Sequence, residues 1–238
     1  MQGPLRRLVL WDVDRTLIDV GGVGKETYLE AFEAVVGHPP ARLAPRQGRT
    51  DPEIMAGTFA LNDVIAADGQ LRRAMRAVES GMAARVGAMR SHGRVLPGVR
   101  EAIASLSRAP DVVQSVLTGN IKPNALLKLR TFDLDRDLDL DVGAYGSDDS
   151  ARPALVEVAR SRVADKHGTQ FDSSSTWLIG DTPSDITAAR EGGARVIAVA
   201  TGLFDEEELR AEGADVVMPD LADTQALLRV ILGDLTAA

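Results

Sequence analysis

Short apolar runs alternate with longer amphipathic stretches along most of this chain, and most of the runs end on polar or glycine residues. Leu8–Trp11 is the first such run and predicts a buried strand whose C-terminal end meets Asp12. The same pattern predicts strands at Val112–Leu117, Leu140–Tyr145, Thr176–Ile179, Val196–Val199 and Val216–Met218. Helical spacing fills the gaps: Val99–Leu106, Pro123–Arg130, Pro153–His167, Pro183–Glu191 and Thr224–Leu232. One region breaks the alternation. From about Asp19 to Arg94 there is no convincing strand. Instead Gly24–Val36 places Tyr28, Leu29, Phe32, Val35 and Val36 on one side and stops at Gly37-His38-Pro39-Pro40. Asp51 is positioned to cap a helix running through Phe59, with Pro52 at its first position, and Leu71–Met89 reads as a further helix.

Strands alternating with helices of these lengths predict an α/β fold: a three-layer, Rossmann-like core with a parallel sheet covered on both faces. The helical block then reads as a small all-helical cap inserted after the first strand. The expected division is a core of residues 1–18 and 95–238 and a cap of residues 19–94. Ligands of open parallel sheets bind at the C-terminal edge of the strands, the edge such a cap would cover.

Composition narrows the chemistry. The chain has 238 residues, 45% of them apolar, which suffices for a sizeable core. It has no cysteine, which excludes disulfides, zinc–thiolate sites and a thiol nucleophile. A net charge of −8 argues against nucleic acid or an anionic membrane as partner. No stretch approaches the roughly 20 apolar residues of a membrane span, and the chain runs into its first strand without a secretory h-region. A soluble cytoplasmic protein, monomer or homodimer, is the expectation.

Alternation along an extended segment puts Asp12 and Asp14 on the same side. Carboxylates this close repel unless a cation or proton sits between them, or unless they line a solvated turn. Mg²⁺ favours such oxygen ligands and binds through few carboxylates plus phosphate. Asp133, Asp135, Asp137, Asp139 and Asp141 also alternate, but no register supplies the Gly and final Glu of a calcium loop, so this run is assigned to a solvated connection. Thr118-Gly119-Asn120 follows the second strand and suits phosphate oxygens, or an ordinary turn. Arg152 or Lys122 is placed to neutralise an anion there, or to lie on the surface. Asp181 follows the Thr176–Ile179 strand, with Asp185 one helical turn on. Either Asp181 or Thr182 can cap the helix at Pro183, and Asp181 can also complete a metal site.

Taken together, Asp12-Val13-Asp14-Arg15-Thr16-Leu17, Leu117-Thr118-Gly119-Asn120, Arg152-Pro153 and Gly180-Asp181-Thr182-Pro183-Ser184-Asp185 resemble the four motifs of the haloacid dehalogenase-like superfamily. Gly48-Arg49-Thr50-Asp51 is similar to a cap segment of its phosphoglycolate phosphatase-like members. The resemblance implies a Mg²⁺-dependent phosphohydrolase acting on a small phosphorylated metabolite. It implies Asp12 as nucleophile and Asp14 as general acid and base. It implies Mg²⁺ on Asp12, the Asp14 carbonyl and Asp181, with Asp185 in support. Thr118, Gly119 and Asn120 would bind phosphate, Arg152 would replace the usual motif-three lysine, and Arg15 and Arg49 would meet the rest of the substrate. Arg15 stands where the family commonly has Gly, in a turn expected to need no left-handed residue. A phosphomutase would keep the same residues. Dehalogenation would not require Asp14, Asp181 and Asp185, and a phosphoacceptor regulatory domain would not require the insertion.

Overall fold

A computed structural model describes residues 7–233. Six strands form one parallel sheet: β1 (Arg7–Trp11), β4 (Val112–Thr118), β5 (Ala144–Tyr145), β6 (Thr176–Gly180), β7 (Arg195–Val199) and β8 (Val216–Met218). Their order across the sheet is β5-β4-β1-β6-β7-β8, so the chain leaves β1 toward one edge and returns to its other side at β6. The strand order therefore reverses at β1, where open α/β sheets form a ligand crevice at the strands' C-terminal ends.

Period-two alternation divides the core in two. Val9 and Trp11 of β1 join Val116, Trp177, Ile179, Ile197 and Val199 on one face. That face is covered by α5 (Val99–Ser107), α6 (Lys122–Thr131) and α10 (Thr224–Leu232). Leu8 and Leu10 point the other way, onto α7 (Ala154–His167), α8 (Pro183–Gly192) and Leu209 of α9 (Glu206–Ala211). The three-layer α/β expectation holds. The helix α9 was not foreseen, its six residues being too few to show a period.

Between β1 and β4 lie α1 (Val23–Val36), α2 (Asp51–Leu61), α3 (Gln70–Ala84) and α4 (Val86–His92). Tyr28, Phe32, Ile54, Met55, Phe59, Ala74 and Val78 give this insertion a hydrophobic cluster of its own. Four details differ from the sequence reading. The helix expected over Leu71–Met89 is two helices, broken at Arg85. The cap of α2 is Thr50, in a reciprocal capping box with Glu53, which moves Asp51 inside the helix and frees its carboxylate. The insertion is entered and left through an unforeseen two-stranded ribbon, β2 (Ile18–Asp19) and β3 (Arg94–Val95), with Ile18 opposite Val95. And β5 keeps only two of its six expected residues, because turns bind Leu140 N–H to Leu138 and Val142 N–H to Asp139. Among the described residues no helix is long and apolar enough to cross a membrane.

Candidate active site

The four strand-end segments meet around β1. Asp12 still belongs to the ladder, its N–H donating to the Ile179 carbonyl at 2.8 Å, so it stands directly beside the end of β6. There Asp181 follows Gly180. Thr182, rather than Asp181, caps α8, and Asp185 closes a capping box by accepting from Thr182 N–H at 3.1 Å. Asp181 is thereby left to face the crevice, where Thr16 donates to its Oδ1 at 3.4 Å. Carboxylate oxygens of Asp12, Asp181 and Asp185, all buried, lie within 4.8 Å of one another. The Asp14 carboxylate is outside that group and is turned elsewhere.

Arg152 supplies the cation. Its Nη2 donates to Asp12 Oδ1 at 2.9 Å and to Asp185 Oδ1, and its buried Nε–H has no partner among the described residues. Lys122, the competing cation, sits 5.2 Å from the centroid of the Tyr145 ring instead. Burial pushes the Asp12 carboxyl up to about 7, and Asp185 and Asp14 add to the rise while Arg152 opposes it. Burial also holds Asp181 well above the usual carboxylate range, reinforced by Asp12 and Asp185. Desolvation works against the charge of Arg152, but Asp185 and Asp12 outweigh it and keep the guanidinium protonated. One Arg cannot neutralise three buried carboxylates once all are ionised, and their oxygens form an entirely hard donor set. Both facts fit a Mg²⁺ ion.

Thr118 ends β4, and its Oγ1 accepts from Asn120 Nδ2 at 2.8 Å. Asn120 Nδ2 also donates to Asp14 Oδ2 at 2.8 Å. Between them, Gly119 lets the insertion approach: a Cβ there would stand 2.2 Å from the Arg49 carbonyl oxygen. Arg49 itself is exposed, with Nη1 toward Gly57 of α2, and Arg15 is half exposed and paired with Asp19 at 3.5 Å. Contrary to expectation the Arg15 turn is left-handed, with φ 65°. This strain of roughly 1–2 kcal/mol for a non-glycine residue is held by Arg15 N–H to Ile18 at 2.7 Å and by Thr201 donating to the Arg15 carbonyl.

A family model described as haloacid dehalogenase-like hydrolase matches residues 9–190, about three quarters of the sequence. The chain belongs to that family. This haloacid dehalogenase-like hydrolase is 26% identical over 141 residues to "Probable phosphatase IndB" of Dickeya dadantii (strain 3937), covering 59% of this chain and 58% of that protein. It thus spans less than two thirds of that curated relative. A hydrolase from Pseudomonas syringae superposes with a TM-score of 0.72 at 22% identity, over 95% of this chain and 99% of the other. CbbY from Rhodobacter sphaeroides, solved in complex with phosphate, gives a TM-score of 0.71 at 20% identity, over 92% and 96%. At these identities the two structures establish the fold.

Several residues of this hydrolase's site were not foreseen. Lys128 of α6 is buried and reaches Asp14 Oδ2 at 2.6 Å, Asp14 Oδ1 at 2.8 Å and Asn120 Oδ1 at 2.6 Å. Burial would raise the Asp14 carboxyl, but Lys128 and then Asn120 outweigh it, and the net direction is down. Gly202 lies behind Asp181, where a Cβ would stand 1.9 Å from Oδ2. From the insertion, Tyr28, Arg46, Asp51, Ile54 and Met82 close a cavity of about 320 Å³ over Asp12, Thr118 and Asp181. That lies at the small end of the size range for ligand pockets.

Proposed function

We propose that this protein is a Mg²⁺-dependent phosphohydrolase for a small phosphorylated metabolite, working through an aspartyl-phosphate on Asp12, with residues 19–94 as a cap over the site. The termini of the remaining core, residues 1–6 and 234–238, lie outside the described residues. The observation that carries this reading is Asp12, buried at a strand end, bonded to Arg152 and within 4.8 Å of Asp181 and Asp185. The phosphatase name of the curated relative supports the same reaction class.

Phosphate monoesters hydrolyse extremely slowly without a catalyst, and positioning and charge neutralisation supply most of the acceleration. An Asp12 oxygen attacks phosphorus, the bond to the leaving oxygen breaks, and Asp14 gives that oxygen a proton that it must first take up from solvent, since Lys128 and Asn120 favour its ionised form. Water then attacks the phosphorus of the aspartyl-phosphate and yields its proton to Asp14. Asp12 and inorganic phosphate are released. Arg152 neutralises the phosphoryl group, and its unpartnered Nε–H is a donor for a phosphoryl oxygen. Thr118 and Asn120 orient that group. Asp12, Asp181 and the Asp14 backbone carbonyl would hold Mg²⁺, with Asp185 in support; when bound, it supplies positive charge against the phosphoryl oxygens. The insertion excludes water from the first step.

The test is Mg²⁺-dependent release of phosphate from para-nitrophenyl phosphate. Asp12→Asn and Asp14→Asn should each lower turnover by several orders of magnitude with unchanged circular dichroism. Near-normal rates in both would sink the mechanism.

A further inference from the structure

Five cations line the cavity: Arg15, Arg46, Arg49, Lys128 and Arg152. Three are already engaged: Arg152 holds Asp12 and Asp185, Lys128 holds Asp14, and Arg15 pairs with Asp19. Arg49 is exposed, with its guanidinium toward α2. Arg46 differs from all four. It is partly withdrawn from solvent, and its Nη1 lies against Gly24, 3.1 Å from where a Cβ would stand. Yet its side chain forms no ion pair or hydrogen bond among the described residues.

Arg46 lies near enough to Asp14 and Tyr28 to favour the charged form of each. The partners of the Asp14 carboxylate are Lys128 and Asn120, not Arg46. Tyr28 is likewise committed, donating to Asp51. A half-desolvated guanidinium with five donors and no acceptor is costly to hold in place, and an anion arriving with the ligand offsets that cost. Ile18, Ile54 and Met82 also line the cavity, and none of them offers Arg46 an ionic partner.

We propose that Arg46 is a specificity-determining residue that binds a second anionic group, a carboxylate or phosphate, on the part of the substrate distal to the reacting phosphoryl group. This rests on the phosphatase reading for the identity of the reacting end. The substrate class is then a small phosphomonoester carrying a further acid group, rather than the phosphate of a neutral alcohol.

Calorimetric titration with Mg²⁺ tests this without turnover. The probes are phosphonocarboxylates of two to four carbons, each against the alkylphosphonate of equal length. The wild type should bind the best phosphonocarboxylate about tenfold or more tighter than its matched alkylphosphonate, as a charge-assisted hydrogen bond implies. Arg46→Met should bring that ratio near one, and Arg46→Lys should keep part of it. Should Arg46→Met not fold, the wild-type ratio and Arg46→Lys still decide. A wild-type ratio near one, an undiminished ratio in Arg46→Met, or no binding of either probe class overturns the proposal. An enzyme that shows the ratio but never releases phosphate from para-nitrophenyl phosphate loses the phosphatase reading and keeps Arg46 as an anion site.

Discussion

Lys128 Nζ lies 2.6 Å and 2.8 Å from the two carboxylate oxygens of Asp14. The pair joins α6 to the end of β1 and determines which protonation state Asp14 favours at rest. The lowered pKa keeps Asp14 ionised, and so able to serve as the proposed base, to lower pH than an unpaired buried carboxyl would be. Lys128→Met removes the lowering influence and leaves the burial, so the Asp14 pKa rises. The acid limb of the kcat profile should therefore move to higher pH, with a larger loss of rate at pH 6 than at pH 8. A pH–rate series on the variant checks this; a uniform loss at every pH would show that Lys128 does not act through Asp14.

Removing divalent metal should make stability fall as pH rises. Asp12, at about 7, and Asp181, well above its usual value, both bind protons more tightly folded than unfolded. Between about pH 4 and 7 the unfolded chain has released those protons while the native state retains them, so unfolding gains favour with increasing pH. In EDTA the Tm should be lower at pH 8 than at pH 5.5. Excess Mg²⁺ should raise the Tm far more at pH 8, because it stabilises the deprotonated cluster. A Mg²⁺-induced shift equal at both pH values would contradict the assigned ligands.

Gly202→Ala places a methyl 1.9 Å from Asp181 Oδ2 against a carboxylate that is buried and has little room to retreat. The expected result is Mg²⁺ affinity weakened by about 10–100-fold, the scale on which disturbing a ligand's support acts. Titration of activity with Mg²⁺ measures it. Unchanged half-saturation would contradict the proposed role of Asp181 as a metal ligand.

Asp51 ties the insertion to the turn that follows Thr118. Its Oδ2 accepts from Ile121 N–H at 2.8 Å, its Oδ1 from the Tyr28 hydroxyl, and its own N–H donates to the Gly119 carbonyl at 2.8 Å. Asp51→Ala strands two buried donors, at about 1–3 kcal/mol each. We expect destabilisation of roughly 2–5 kcal/mol in urea unfolding, together with a raised KM as the insertion loses its fixed seat. A loss of less than about 0.5 kcal/mol would mean that water replaces the carboxylate.

The sequence made the residues at strand ends legible and left the others hidden. Asp12, Thr118 and Asp181 each follow an apolar run, so their convergence could be argued from a parallel sheet. Arg152 follows a run whose strand proved short, but its position opening α7 still brought it to Asp12. Lys128 lies ten residues beyond Thr118, inside α6, where a lysine ordinarily reads as surface. The available signal was its place in the apolar run Ala-Leu-Leu-Lys-Leu, since a charge on a buried helix face requires a partner. Arg46 stands in the aperiodic segment Pro45-Arg46-Gln47-Gly48, where no spacing fixes direction. Arg49 is the more legible cation because it lies within Gly48-Arg49-Thr50-Asp51, yet the capping box at Thr50 turns the following helix so that Asp51, not Arg49, meets the core. The β2–β3 ribbon is two residues deep, too short for any alternation to register.

That ribbon has a further consequence. Ile18 opposite Val95 and Asp19 opposite Arg94 stitch both seams of the helical segment at a single point. A foreign helical cassette grafted between these seams would inherit the same attachment and leave Asp12 and Thr118 where the strands set them. A graft that also kept the Asp51 anchors to Gly119 and Ile121 is therefore expected to change the cavity wall while leaving the strand ends in register.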